Sequence, residues 1–165
     1  MANVTVREAD DNSLPHILRI YNQGIEDRIA TLEVEPKDMD YMENWFDCHQ
    51  ERYKVLIAEN EDQIVGWASL NPYSHRCAYK GVAELSIYID RKFRNKGIGS
   101  LLLRNLEEVA VNESFHKIIL FTFPINTLGQ GLYNKLGYRE VGVFEKQGMM
   151  DNNYLDVMIM EKVLK

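Results

Sequence analysis

The sequence has few of the features that mark several other classes of protein. It contains only two cysteines, Cys48 and Cys77, and they lack C-x-x-C spacing, so neither a disulfide framework nor a zinc site is indicated. Its four histidines form no H-x-x-x-H pair, and we therefore expect no bound metal ion. Since no apolar run is long enough to cross a bilayer, the sequence argues against a membrane protein.

Positive charge is also in short supply. Nineteen Lys and Arg residues stand against twenty-five Asp and Glu residues, which gives a formal net charge of −6 and argues against general nucleic-acid binding. A local basic patch could still hold a small polyanion. Residues 1–10 lack the basic and apolar segments of a secretory signal, so we expect a cytoplasmic protein.

The composition is that of an ordinary globular domain. Hydrophobic residues make up 45% of the chain and charged residues 27%. A chain of 165 residues can bury about two thirds of the surface that its unfolded form exposes. No internal repeat or linker divides it, and we therefore predict one domain over residues 1–165.

Hydrophobic periodicity predicts the element order β-α-α-β-β-β-α-β-α-β-β, an α/β fold with early hairpins and later crossover helices. The pattern predicts that the first helix ends at Gly24 and that Asn71 and Pro72 break the third strand. The nearly continuous apolar run over 118–123 is typical of a central strand covered on both faces. A helix is predicted over 126–136, with Gly137 directly after it.

One glycine-rich loop, over 94–99, lies between a predicted strand at 82–89 and a predicted helix. Unpaired N–H groups at a helix start favour anions, and glycine lets the backbone approach phosphate oxygens closely. The loop has neither the G-K-[ST] of a P-loop nor the G-x-G-x-x-G of a dinucleotide fold. It predicts a pyrophosphate site, the alternative being a solvated basic face around a glycine turn. Four cations surround it: Arg91, Lys92, Arg94 and Lys96.

Two motifs together resemble the GNAT superfamily of N-acetyltransferases over essentially the whole chain. The R-x-x-G-x-G of the glycine loop resembles that family's acetyl-CoA pyrophosphate loop. Asn126 followed by L-Y-N-K-L-G-Y at 132–138 resembles its second motif. The resemblance implies an α/β GNAT acyl-CoA N-acyltransferase fold: a mixed, mostly antiparallel sheet splayed at two central parallel strands, with helices on both faces. Acetyl-CoA would lie between strands 82–89 and 118–123.

A closer similarity is to the phosphinothricin and methionine sulfoximine N-acetyltransferase branch, which acetylates the α-amine of amino acids and their analogues. The segments that match this branch in order and spacing are 21–22 with 30–33 and 35–36, then 72–76 with Tyr79, then 84–89 and 154–157. Tyr133 stands where some phosphinothricin enzymes have histidine. The similarity implies a small-molecule amine or amino acid as acceptor, acetyl-CoA as co-substrate and a homodimer.

Glu84 is the candidate base. An amine that attacks a thioester must lose a proton, and a carboxylate is a common acceptor for it. Strand alternation places Glu84, Ser86 and Tyr88 on one face, where burial would raise the pKa of the acid. The alternative is an edge carboxylate that faces solvent or pairs with Arg76.

Tyr133 is the candidate acid, because a phenol can donate the proton that neutralises the departing thiolate. Its alternative role is a core tyrosine on an amphipathic helix. In the resembling family a backbone N–H on the base's strand stabilises the oxyanion. Here that donor would be Ile87 or a neighbour, exposed by a β-bulge.

The resemblance also assigns binding residues. Leu32 and Glu33 would cover the acceptor pocket, while Arg76 and Tyr79 would clamp a carboxylate or phosphinate; the alternative for the latter pair is an ordinary exposed loop. Asn126 is expected either to bind the pantetheine arm or to cap a helix. The full set expected to bind the cofactor is Ile87, Tyr88, Ile89, Arg94, Asn95, Lys96, Gly97, Ile98, Gly99, Ser100 and Asn126.

Two other functions remain open at this stage. A peptide N-terminal or polyamine acetyltransferase would share the cofactor half of the sequence. A non-catalytic acyl-CoA-binding module would keep the glycine loop but would have no use for Glu84.

Overall fold

The computed structural model describes residues 3–49 and 51–164, and the order of its helices and strands is the predicted one. Three short 3₁₀ turns accompany the main elements, at Asp11–Ser13, Cys77–Tyr79 and Arg91–Phe93. The main elements are β1 (Val4–Glu8), α1 (Leu14–Asp27), α2 (Met39–Asp47), β2 (Val55–Asn60), β3 (Gln63–Pro72), β4 (Val82–Ile89), α3 (Ile98–Asn112), β5 (Lys117–Thr122), α4 (Thr127–Lys135), β6 (Arg139–Met150) and β7 (Asn153–Val163).

The strands form one mixed sheet in the order β1-β2-β3-β4-β5-β7-β6. Every neighbouring pair is antiparallel except β4 and β5, which run parallel. The register of β4 and β5 begins at Val82 and Lys117 and ends at Glu84 and Ile119. Beyond that pair the two strands diverge and leave an opening, as the resemblance implied.

Helices cover both faces of the sheet because strand side chains alternate between two apolar clusters. On β2, Leu56 and Ala58 pack in the cluster that contains the apolar face of α3. Val55 and Ile57 point the other way, into the cluster formed with α1 and α2. Both faces of β2 are therefore buried. On β5 the predicted cover holds for Ile118, Ile119 and Leu120, whereas Phe121 is 38% exposed.

Two predicted boundaries were wrong. Helix α1 continues past Gly24 to Asp27, and it ends where Arg28 adopts a left-handed φ of 58°. Gly24 instead allows close packing, because a Cβ there would lie 2.8 Å from Cδ1 of Tyr88 on β4. Strand β3 continues through Asn71 to Pro72, where the missing N–H of proline is tolerated at the end of the strand.

Candidate active site

Two adjoining cavities lie where β4 and β5 diverge. The inner cavity, about 440 Å³, is lined by Glu84 and by residues from α1, α2, β4, β5 and β6. The loop cavity, about 410 Å³, is lined by the glycine loop, β4 and α4. A ligand bound along the glycine loop can therefore reach the inner cavity, because the two share five lining residues: Ala30, Ile87, Tyr88, Asn126 and Tyr133.

The glycine loop forms the N-terminus of α3. Gly97 adopts a φ of 83° at the N-cap position, and no side chain caps the helix there, so the first N–H groups of α3 have no capping partner. A Cβ at Gly99 would lie 3.0 Å from Cδ2 of Leu132, which shows how closely α4 approaches the loop. These features suit a site for phosphate groups. Of the predicted loop residues 94–100, all line the loop cavity except Lys96.

Two of the four cations near the loop are held by the end of α1. Asp27 contacts both Arg91 and Arg94, at 2.7 Å each. Burial alone would raise the pKa of Asp27, but hydrogen bonds from the two guanidinium groups outweigh it and lower the pKa. Arg94 also donates to the carbonyl of Ile89. The loop is therefore anchored to both α1 and β4 through Arg94.

Glu84 lies at the inner end of the opening, in the last residue pair that joins β4 to β5. Every residue from 84 to 88 lines the inner cavity. Leu85 packs in the cluster that contains α3 whereas Tyr88 packs against the cluster with α1 and α2, as alternation along β4 requires. Burial raises the pKa of Glu84, and among residues 3–49 and 51–164 it has no hydrogen-bond or ion-pair partner. Arg76 does not pair with it. A half-buried carboxylate without a partner is available to accept a proton.

Tyr133 on α4 is 8% exposed and borders both cavities. Burial raises its pKa to about 12, so the phenol stays protonated at neutral pH. Its ring also packs against Tyr138, with centroids 6.0 Å apart, inside the larger apolar cluster. The residue therefore combines core packing with a position suited to a proton donor.

Asn126 caps helix α4. Its Oδ1 accepts a hydrogen bond from the backbone N–H of Gly129 at 3.0 Å, and its Nδ2 donates to Oγ1 of Thr122 at 3.3 Å. The capping role left open by the sequence is the one seen in the structure. Because the residue also lines both cavities, capping and contact with a ligand are compatible.

The edge of β4 faces the loop cavity through Ile87, Tyr88 and Ile89. The β-bulge expected here is absent, since the β3–β4 register runs without a shift from Gly66 and Ile89 to Pro72 and Ala83. The edge is instead exposed because β5 diverges after Ile119. The divergence of β4 and β5, rather than a bulge, therefore leaves backbone groups of β4 free to bind a ligand.

The predicted substrate residues divide into two groups. Leu32 and Glu33, from the segment between α1 and α2, line the inner cavity. Arg76 and Tyr79 are exposed beside the turn between β3 and β4 and do not line it; the Tyr79 ring contacts Tyr73 instead. As a result, the described lining of the inner cavity includes two carboxylates and no Lys or Arg.

Sequence reasoning missed the aromatic wall of the inner cavity. Trp67 is buried in the apolar cluster formed with α1 and α2, Trp45 packs against that cluster, and both also line this cavity. Helical and strand periodicity identify a buried face but do not show which part of it borders a cavity. Further aromatic lining comes from Tyr21, Tyr41, Tyr88, Phe121, Phe123 and Phe144.

Other kinds of site find no support in the part of the chain that the structure covers. No cluster of three or more His, Cys, Asp or Glu side chains with a geometry suited to a metal ion occurs within 3–49 and 51–164. Among the same residues, no helix has the length and apolar character needed to span a membrane.

Comparison with known proteins identifies the family of this chain. Residues 18–138 match the model of the acetyltransferase (GNAT) family. A candidate phosphinothricin acetyltransferase of Bacillus subtilis is 33% identical over 162 residues, covering 98% of this chain and 99% of that protein. The L-methionine sulfoximine/L-methionine sulfone acetyltransferase of Pseudomonas aeruginosa is 28% identical over 161 residues, covering 96% and 94%.

A solved structure shows the same fold in a protein with a bound ligand. A phosphinothricin acetyltransferase from Sinorhizobium meliloti, in complex with acetyl-CoA, superposes with a TM-score of 0.92 at 27% identity. The match covers 98% of this chain and 88% of that one. This chain therefore belongs to the GNAT family and is an N-acetyltransferase.

Proposed function

We propose that this enzyme transfers an acetyl group from acetyl-CoA to the amino group of a small amino-acid-like substrate, such as phosphinothricin, methionine sulfoximine or a related L-amino acid. The observation that carries the proposal is the position of Glu84 in the inner cavity, next to the residues that also line the loop cavity. Within 3–49 and 51–164 this carboxylate has no hydrogen-bond or ion-pair partner. Relatives named for such substrates match nearly the whole chain.

The loop cavity provides the groups that would hold acetyl-CoA. Backbone N–H groups from Asn95 to Ser100 would bind its diphosphate, with Arg94 and Lys96 adding positive charge. The edge of β4 at 87–89 and the side chain of Asn126 would contact the pantetheine arm. This arrangement would direct the thioester toward Glu84.

In the proposed reaction Glu84 accepts a proton from the acceptor amine, directly or through one water. The amine nitrogen attacks the thioester carbon, the new C–N bond forms and the C–S bond breaks. Tyr133 gives its proton to the departing thiolate, and a backbone N–H near Ile87 stabilises the oxyanion. The transfer is direct, without an acyl-enzyme intermediate.

The acceptor would be bound by Leu32 and Glu33 inside the inner cavity and clamped by Arg76 and Tyr79. The latter pair lies outside the cavity of a single chain, so the clamp requires either movement of the β3–β4 turn or a second subunit. We propose a cytoplasmic homodimer. If Arg76→Ala leaves kcat/KM for free amino acids unchanged, the assignment of Arg76 to the clamp is wrong.

A second acceptor class is favoured by one observation. The described lining of the inner cavity contains Glu33 and Glu84 but no Lys or Arg, and this suits a cationic acceptor such as a polyamine or a peptide N-terminus. Such an acceptor would need no carboxylate clamp, so its kcat/KM should not change in the Arg76→Ala variant.

A thiol-release assay with acetyl-CoA tests the proposed function. The acceptors are free L-amino acids, phosphinothricin, methionine sulfoximine, polyamines and short peptides. Turnover with the amino-acid analogues at the highest kcat/KM supports the proposal, and preference for polyamines or peptides supports the second class. Binding of acetyl-CoA without turnover on any of them would contradict both proposed acceptor classes.

A further inference from the structure

A chain of hydrogen bonds leads from the end of α2 to the inner cavity. Nε2 of His49 lies 2.7 Å from Oδ1 of Asn71, and Nδ2 of Asn71 donates to Oγ of Ser86 at 2.9 Å. Ser86 lines the inner cavity. These three residues, the His49–Asn71–Ser86 chain, join three separate elements of the fold.

Two residues of this chain lie beside Glu84 on the sheet. Asn71 is the register partner of Glu84 across β3 and β4, so the two side chains project from the same face of the sheet. Ser86 follows Glu84 by two residues on β4 and also lies on this face. Glu84 is thus flanked by both residues of the chain that lie on the sheet.

The direction of the hydrogen bonds in the chain follows from Oδ1 of Asn71, which can only accept. Nδ1 of His49 lies 2.8 Å from the carbonyl oxygen of Trp45, and its Nε2 lies 2.7 Å from this Oδ1. Oδ1 of Asn71 also accepts from the hydroxyl of Ser69 at 2.9 Å. With its carbonyl side occupied, the amide presents its N–H to Ser86.

Ser86 therefore accepts from Asn71, and its own hydrogen is left for another acceptor. No residue in the described part of the chain takes that hydrogen, and the hydroxyl borders the inner cavity. Glu84, on the same face, has no donor among the described residues, although an ionised carboxylate in a half-buried site requires one. The two unsatisfied groups are complementary.

We propose that Asn71 and His49 are positioning residues for acetyl transfer, which orient the Ser86 hydroxyl as a hydrogen-bond donor toward the Glu84 carboxylate. The donor keeps Glu84 ionised and ready to accept the amine proton, and it takes no part in the proton balance of the reaction. This inference rests on the proposed role of Glu84 as the base.

The substitution Asn71→Asp tests the polarity with almost no change in shape. A carboxylate cannot donate to Ser86, so the serine hydrogen turns toward residue 71 and away from the cavity. We expect kcat to fall about tenfold and the acid limb of the kcat–pH profile to move to higher pH. KM for acetyl-CoA should not change, because the loop cavity is untouched.

Added negative charge could by itself shift the acid limb, so a second substitution is needed. Ser86→Ala removes the donor without adding charge and should shift the limb in the same direction, while Ser86→Thr keeps the hydroxyl and should restore most of kcat. If Asn71 acts through Ser86, Asn71→Asp should cause no further loss of kcat in the Ser86→Ala background.

A control matches the added charge. Asn44→Asp adds the same charge on an exposed position of α2. It should change kcat by less than about twofold. Thermal melting of every variant separates loss of folded protein from loss of turnover.

The inference is overturned if Asn71→Asp keeps the wild-type kcat and the wild-type acid limb. It is also overturned if Asn71→Asp lowers kcat by the same factor in the Ser86→Ala variant as in the wild-type enzyme. Glu84→Gln, measured in parallel, tells this failure from that of the proposed base. An inactive Glu84→Gln with a normal Asn71→Asp contradicts only the positioning chain. An active Glu84→Gln contradicts the base itself.

Discussion

Glu84 on β4 pairs with Ile119 on β5 in the last register pair before the two strands diverge. The same residue pair therefore ends the parallel pairing and places the carboxylate at the inner end of the opening. Because register is set along the whole strand, a shift by one residue would turn Glu84 to the opposite face, toward α3. The fold thus determines the position of the candidate base.

Tyr133→Phe tests the proposed acid. We expect kcat to fall by roughly 10², because the thiolate would leave without a proton donor, while the ring keeps its packing. With its pKa raised to about 12, Tyr133 should cause no alkaline loss of kcat below about pH 10.

The matched control is Tyr138→Phe, which removes the hydroxyl of the neighbouring buried ring outside both cavities. Steady-state kcat should stay near the wild-type value in this control. A Tyr133→Phe enzyme with wild-type kcat would assign the residue to core packing alone.

Gly97→Ala tests the glycine loop as the acetyl-CoA site. A Cβ at Gly97 meets no atom within 4 Å, but the φ of 83° is strained for alanine, and relief of this strain would distort the loop. We expect the Kd for acetyl-CoA, measured by calorimetry, to rise about tenfold. Gly142→Ala is the control, since its Cβ also meets no atom and its φ is not in the strained range. Equal affinity in the two variants would contradict the assignment.

Glu161 should make stability depend on pH. This carboxylate is 7% exposed on β7 and contacts Lys117 on β5 and Arg139 on β6. The hydrogen bond from Lys117, followed by that from Arg139, lowers the pKa of Glu161 despite the opposing effect of burial. Because the pKa is lower in the folded state, the stabilisation is complete above the unfolded pKa and is lost as pH falls through the folded value.

Glu161→Gln should therefore lower the free energy of unfolding by about 1–2 kcal/mol at pH 7, a figure reduced by solvent screening at the exposed Arg139. The difference from wild type should shrink at pH 3. Urea unfolding at the two pH values measures it, with exposed Glu140→Gln as control. An equal loss at both pH values would assign the effect to packing rather than charge.

Replacement of both cysteines tests direct transfer. Cys48 and Cys77 are exposed, and neither lines either cavity, so no thiol is available there for an acetylated intermediate. The double variant Cys48→Ala/Cys77→Ala should keep kcat within about twofold of wild type. Loss of turnover in a correctly folded double variant would contradict direct transfer.

The sequence predicted what depends on local pattern. Alternation placed Glu84, Ser86 and Tyr88 on one cavity face, and the glycine spacing located the start of α3. The boundaries predicted at Gly24 and Pro72 were wrong, because glycine and proline usually end a helix or a strand. Here tertiary packing allowed α1 and β3 to continue.

Long-range relationships could not be predicted from the sequence. The spacing of residues along the sequence does not show where the side chains of a turn lie relative to a cavity. Arg76 was therefore assigned to a cavity that it does not line. His49 and Asn71 are 22 positions apart and meet only because α2 packs beside the end of β3. The family resemblance implied the splay between β4 and β5, but the unbroken β3–β4 register, without a bulge, follows from how the strands pair.

The most direct test of the account measures kcat of Glu84→Gln together with its Kd for acetyl-CoA. If Glu84 accepts the amine proton, kcat should fall by roughly 10² or more while the Kd stays at the wild-type value, because the loop cavity is unchanged. A variant that binds acetyl-CoA normally and transfers the acetyl group at the wild-type rate would contradict the proposed mechanism.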